Sequence, residues 1–209
     1  MSSVVISGDT SGAITLSAPA IAGTNTITLP AQTATIATLT TPSFATTIGV
    51  GGATAAASGA GITFPASQSA SSNANTLDDY EEGTFTPVIV GGTTPGTGTY
   101  GAQVGNYTKI GRQVFYQIYF QLSNHTGTGG MFVSGLPFTV STISSSVAYS
   151  AASSWMNNLA LTANNILMAY PDPGATTITL NQGPTGGGPL AGIPVDTSFQ
   201  LMLAGNYFA

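Results

Sequence analysis

In "QVFYQIYFQL", Gln113 to Leu122, the residues Val114, Tyr116, Ile118, Phe120 and Leu122 occupy alternate positions, with Phe115, Gln117, Tyr119 and Gln121 between them. Successive side chains of an extended chain point to opposite sides, so this period of two predicts a strand whose first set faces a core. Further strand candidates lie on both sides of it: "TFTPVIV" (Thr84 to Val90), "MFVSGLPFTV" (Met131 to Val140), "SVAYSA" (Ser146 to Ala151), "NILMAY" (Asn165 to Tyr170), "TTITLNQ" (Thr176 to Gln182) and "SFQLMLAGNYF" (Ser198 to Phe208). Turn-forming clusters such as "GGTTPGTG", "NHTGTGG" and "NQGPTGGGP" separate them. Short strands between turn signals predict an all-β, antiparallel sandwich or jelly roll. No helical period long enough for a βαβ unit occurs, which argues against nucleotide-binding α/β folds.

The composition fits that reading. A chain of 209 residues has room for one domain of about 130 residues plus an extension, and such a domain buries roughly two thirds of its unfolded surface. Charged residues make up 4% of the chain against about 25% in ordinary globular proteins. With 42% hydrophobic residues and regular β-branched stretches, the low charge points to ordered strands under a Thr/Ser/Asn surface and not to disorder. The only cations are Lys109 and Arg112 and the net charge is −5, so a surface that tracks phosphates is excluded and nucleic acid is not an expected partner. With no cysteine there are no disulfides, thiolate metal sites or cysteine nucleophiles. The N-terminus "MSSVVISGDTSG" has no basic region, apolar core or cleavage pattern, so no signal peptide is expected, and no apolar run is long enough for a membrane span.

Composition divides the chain into three parts: residues 1–39, 40–75 and 76–209. In the first, "ITLSAPA" (Ile14 to Ala20) recurs as "ITLPAQT" (Ile27 to Thr33), which suggests one short-strand unit used twice. A segment below about 40 residues does not normally stabilise itself without disulfides, metal or other subunits, so oligomerisation is expected. The second is dense in Gly, Ala and Ser and reads as a linker, in which "ITF" (Ile62 to Phe64) would add one strand and "ATAAAS" one helical turn. The third carries the convincing strands and would be the head.

Four stretches carry a resemblance: "NTLDDYEEGTFTPVI", "GNYTKIGRQVFYQIYFQL", "VSGLPF" and a closing "FQLMLAGNYF". Together they resemble the C-terminal module of many bacteriophage fibre and virion structural proteins, and "ISGDTSGAITLSAPAIAGTNTITLPAQT" is similar to an N-terminal segment common in such chains. The similarity covers about the first 35 residues and much of 76–209. It implies an intertwined homotrimer, attached to other virion proteins by its N-terminus and located in the virion.

Four of the seven carboxylates, Asp78, Asp79, Glu81 and Glu82, fall within five positions around Tyr80. Thr76 followed three residues later by Asp79 is similar to a capping box, and acids in a first turn favour a helix N-terminus. The structural reading is thus a one-turn helix or tight bend, a joint between linker and head, formed by Asp78, Asp79, Tyr80, Glu81 and Glu82. Lys109 and Arg112 are available to pair with it. The catalytic reading is glycoside hydrolysis, which needs two carboxyls roughly 5–9 Å apart. The inventory favours the joint, and no catalytic residue, metal ligand or cofactor is assigned; the cluster lacks the D-x-[DN]-x-[DN]-G spacing of a calcium loop.

The sole histidine, His125, lies in the turn-like "SNHTGTGG" and reads as a solvated loop residue. It is the only available triad base, and no G-x-S-x-G elbow is present. The sole tryptophan, Trp155, sits in "SSWMNN". Core packing is its first reading; the second is a sugar surface, with the ring stacking on C–H groups while Asn157 and Asn158 bond hydroxyls. Trp155, Asn157, Asn158 and His125 are therefore the candidate receptor contacts, with a host surface glycan as ligand. Three roles follow: a non-enzymatic short tail fibre that contacts the host with its head, a capsid decoration or cement protein (a head fibre), and, least supported, a tailspike-like polysaccharide hydrolase.

Overall fold

The computed structural model describes residues 3–7, 13–17, 47–142 and 149–209, and the chain forms two compact units, Met1–Ser43 and Phe44–Ala209. In the first, β1 (Ser3–Ser7) and β2 (Ala13–Ser17) pair antiparallel, with Val5 opposite Thr15. The second copy of the sequence repeat, Ile27 to Thr33, lies outside the described residues.

The second unit begins with a small parallel pair, β3 (Thr47–Gly49) and β4 (Gly61–Thr63). The strand expected at "ITF" is therefore present one residue early, while "ATAAAS" is not helical. In fact no described residue is helical, and no helix long and apolar enough to cross a membrane occurs among them.

The rest of this unit is two antiparallel sheets. One runs in the order β10 (Ser153–Asn157), β14 (Phe199–Phe208), β8 (Gln113–His125), β7 (Gly98–Ile110), β5 (Tyr80–Phe85). The other runs β11 (Asn165–Pro171), β12 (Thr177–Pro184), β9 (Met131–Ser134), β6 (Val88–Gly91), with the short β13 (Ala191–Gly192) also on β12. Val114, Tyr116, Ile118, Phe120 and Leu122 are all buried, as their alternation predicts. They share one hydrophobic core with Leu201, Leu203 and Tyr207 of β14 and with Ile89, Val133, Leu167, Ile178 and Leu180 of the second sheet.

Three expected strands change shape. "TFTPVIV" is broken at Thr86 and Pro87, because proline has no N–H to give a ladder, and the chain there passes from β5 in one sheet to β6 in the other. "MFVSGLPFTV" is a strand only to Ser134, since Gly135 has φ 93 and turns the chain away. Of "SVAYSA", residues 149–151 are not in a strand and the remainder lies outside the described residues.

One long strand, β7, was unexpected. Its inward positions are Gln103, Gly105, Tyr107 and Lys109, and its outward ones include Val104 and Ile110, both exposed. That inverts the usual alternation, so polarity along the sequence gives no signal for it. Its inward glycine is filled from the neighbouring strand. Gly105 stands opposite Phe85, and the Phe85 ring lies where a Cβ on Gly105 would go; Tyr107 covers Gly83 in the same way, and Tyr116 covers Gly205. Aromatic rings thus take over the glycine positions of their cross-strand partners.

Candidate functional site

The acidic stretch enters the sandwich as β5 and not as a helix. In a strand, neighbouring side chains diverge, and the pleat separates Glu81 from Glu82, while Asp78 and Asp79 lie just before the strand. The helix-end reading fails because the Thr76 N–H donates to the Asn73 carbonyl at 3.1 Å and residues 77–79 run on, not helical, into β5, where Tyr80 to Phe85 pair with Ile110 to Gly105. Asp79 points inward and forms a buried ion pair with Lys109. Glu81, also inward, accepts a hydrogen bond from the Tyr107 hydroxyl, and this bond pushes the Tyr107 pKa up to about 12. Glu82 points outward and accepts from the Tyr80 hydroxyl at 3.0 Å, which raises the Tyr80 pKa. Asp78 accepts from the Ser71 N–H at 2.7 Å and from Gln68 Nε2 at 3.3 Å, and the Ser71 bond holds its pKa below the usual carboxylate value.

These bonds form a strap. Gln68 donates to Asp78 and accepts from Lys109 Nζ at 3.4 Å, so the chain before β5 is tied to β7 through two side chains. The Lys109 ammonium also lies 5.4 Å from the centre of the Phe138 ring, which meets the Tyr107 ring edge-on at 5.4 Å. Tyr207 fixes Phe138 from the other side: its hydroxyl donates to the Phe138 carbonyl at 3.1 Å and accepts from the Phe138 N–H at 3.3 Å. Burial pushes the Tyr207 pKa up to about 12. Arg112, the second cation, does not join this cluster. It sits in the β7–β8 turn with its guanidinium 4.7 Å from the centre of the Phe208 ring. Nothing in the sequence marks Phe138 or Tyr207 as members of the cluster, because both arrive from distant strands or loops.

His125 is buried, which corrects its reading as a solvated loop residue and as a receptor contact. It is the last residue of β8, on the inward side. The Gly127 N–H donates to its Nδ1 at 2.9 Å, so Nε2 carries the proton and donates to the Ile89 carbonyl at 2.9 Å. The ring therefore links the two sheets at their rim.

Trp155 is not in the core: it is 48% exposed, on the outer side of β10. Register places it in a row that crosses four strands, with Trp155 beside Met202, Met202 beside Tyr119 and Tyr119 beside Val104. The next row is Ser153, Ala204, Gln117, Asn106 and Thr84, small or uncharged throughout. The two rows line a trough of about 480 Å³. On the other side of Trp155, Asn157 stands in a row with Gln200 and Gln121. These amides, with Asn158, Ser123 and Ser198, line a separate polar hollow. Asn158 has φ 59 and its Nδ2 donates to the Ser198 carbonyl at 2.9 Å, so this amide holds the turn after β10 while its neighbour Asn157 is exposed.

No protein-family model matches this chain, and no curated protein matches it in sequence. Among solved structures, the Dettilon tailspike protein (gp208) is similar over 62% of this chain and 24% of that chain, at 16% identity and a TM-score of 0.47. The chain thus spans about a quarter of the length of that tailspike.

Proposed function

We propose that the chain is a non-enzymatic structural protein of a bacteriophage particle, a short multimeric tail fibre attached by its N-terminal segment and touching the host surface with its sandwich. The observation that supports this reading is that "NTLDDYEEGTFTPVI" and "GNYTKIGRQVFYQIYFQL", the stretches that resemble phage fibre modules, interlock. Asp79 meets Lys109, Glu81 meets Tyr107 and Phe85 covers Gly105, so the shared motif is one structural unit that seats the incoming chain on the head. The charges of this stretch are taken up in that joint. Host contact falls to the polar hollow of Asn157, Asn158, Gln121 and Gln200, whose amides suit sugar hydroxyls.

Three measurements test the proposal. Labelled full-length protein should bind host cells, and binding should drop when Asn157 and Gln200 are both changed to Ala. An averaged map of the particle should place the protein at the tail; density on the capsid would instead make it a decoration protein. Incubation with host envelope glycans should release no oligosaccharide. Release that depends on Glu81 or Glu82 would overturn the non-enzymatic reading.

A further inference from the structure

The outward face of the β10–β14–β8–β7–β5 sheet has no partner among the described residues of the second unit and is built unlike a solvated surface. Of the large hydrophobic side chains exposed among the described residues, Tyr80, Val104, Ile110, Phe115, Trp155 and Met202 all stand on it, each between 41% and 48% exposed. The outward positions of its paired rows contain one charged residue, Glu82, on the edge strand β5. Strand β7 shows the same bias most sharply, because it buries Lys109 and exposes Val104 and Ile110. A monomer gains nothing from that arrangement, whereas a strand covered on both faces does.

We infer that the apolar rows of this sheet face, clear of the Asn157–Gln200–Gln121 hollow, are an interface between copies of the chain, held by the head itself and not only by the N-terminal segment. Contiguous apolar surface of this kind marks protein contacts, and the centres of such contacts are rich in aromatic residues and Met and poor in charge. A row of Trp155, Met202, Tyr119 and Val104 matches that composition. The occupant with matching chemistry is a second copy. The face carries almost no charge to be answered, and a chain that is 4% charged offers a surface that leaves no ion unpaired against it. The trough of Ser153, Ala204 and Gln117 between Trp155 and Phe115 supplies the depressions that bulky side chains of another copy would fill.

This deepens the fibre proposal by locating a contact, but its test does not depend on that role, since host binding and particle position are not read. The sole tryptophan lies in the face, so its fluorescence reports directly on cover. The experiment compares the mass in solution of full-length protein, the Trp155 emission and acrylamide quenching for the wild type, V104E, F115E and a control, I166E, on the outer face of the other sheet. V104S serves as a milder variant if the glutamates prevent folding, with circular dichroism as the check. The wild type should be an oligomer with blue-shifted, poorly quenched emission. V104E and F115E should shift the emission to the red and raise quenching several-fold, and I166E should do neither. A wild-type monomer, a Trp155 freely quenched in the assembled protein, or protection unchanged by V104E, F115E and V104S would each overturn the inference. Protection of a monomer by added neutral glycan would assign the face to sugar and overturn it as well.

Discussion

Asp79 and Lys109 form an ion pair in which each side chain is only 6% exposed, joining the residue just before β5 to the next-to-last residue of β7. Coulomb attraction in such a place offsets a large desolvation cost, so removing one partner leaves a buried charge alone. Asp79→Asn or Lys109→Met should each destabilise the protein by about 3–5 kcal/mol in urea denaturation. The double change to Leu and Met should recover much of that loss. If the single changes lost less than about 1 kcal/mol, the pair would be behaving as an exposed one.

The two faces of β8 should respond differently to truncation. Ile118→Ala or Phe120→Ala removes buried side chains and leaves a cavity, at about 2–5 kcal/mol each. Gln121→Ala, on the outward face but in the polar hollow outside the apolar rows, should stay within about 0.5 kcal/mol in the same denaturation assay. Equal losses at both kinds of position would mean that the outward face is as deeply packed as the core.

Glycine is required at position 105 by its neighbour and not by its backbone angles. A Cβ there would fall 2.7 Å from ring carbons of Phe85. Gly105→Ala should therefore displace that ring and cost about 1–3 kcal/mol. Adding Phe85→Leu should relieve part of the clash, and a thermal melt of the single and double variants checks this.

His125 bonds from one sheet to a carbonyl of the other. His125→Phe preserves bulk but leaves the Ile89 carbonyl and the Gly127 N–H without their partner, an expected loss of about 1–3 kcal/mol. Host-cell binding by the folded variant should be unchanged. A selective loss of binding at full stability would return His125 to the contact surface.

Alkaline pH should unfold the protein through its tyrosines. Tyr107, through its bond to Glu81, and Tyr207, through burial, both sit at about 12 against an ordinary 10.0, and burial raises Tyr116 too. The native state keeps these protons where the unfolded chain has lost them. Their contribution is therefore fully present below pH 10 and disappears as the pH rises through 10 to 12. Tyrosinate absorbance with parallel circular dichroism should show late, cooperative ionisation, and Glu81→Gln should bring Tyr107 back toward its ordinary value. Independent titration of all eight tyrosines near pH 10 would contradict this assignment.

The amino-acid sequence alone determined the strand from Gln113 to Leu122, its buried set and the all-β class, because alternation is a local property that burial on one face imposes on the chain. It also located the acidic stretch and its possible cation, Lys109. It did not determine that the stretch is a strand. The carboxylates resemble a helix start when read along the chain, and only pairing with β7 puts Asp79 and Glu81 on one side and Glu82 on the other. The same limit hid β7, where Val104 and Ile110 point out and Lys109 points in, and it misplaced His125 and Trp155. A residue's exposure depends on what lies across from it, and for these residues the neighbours, Ile89, Met202 and Tyr119, come from strands distant in sequence or separated by turns. Tertiary structure decided those points because long-range pairing sets which face of each strand meets the core, and this information is not contained in any local pattern.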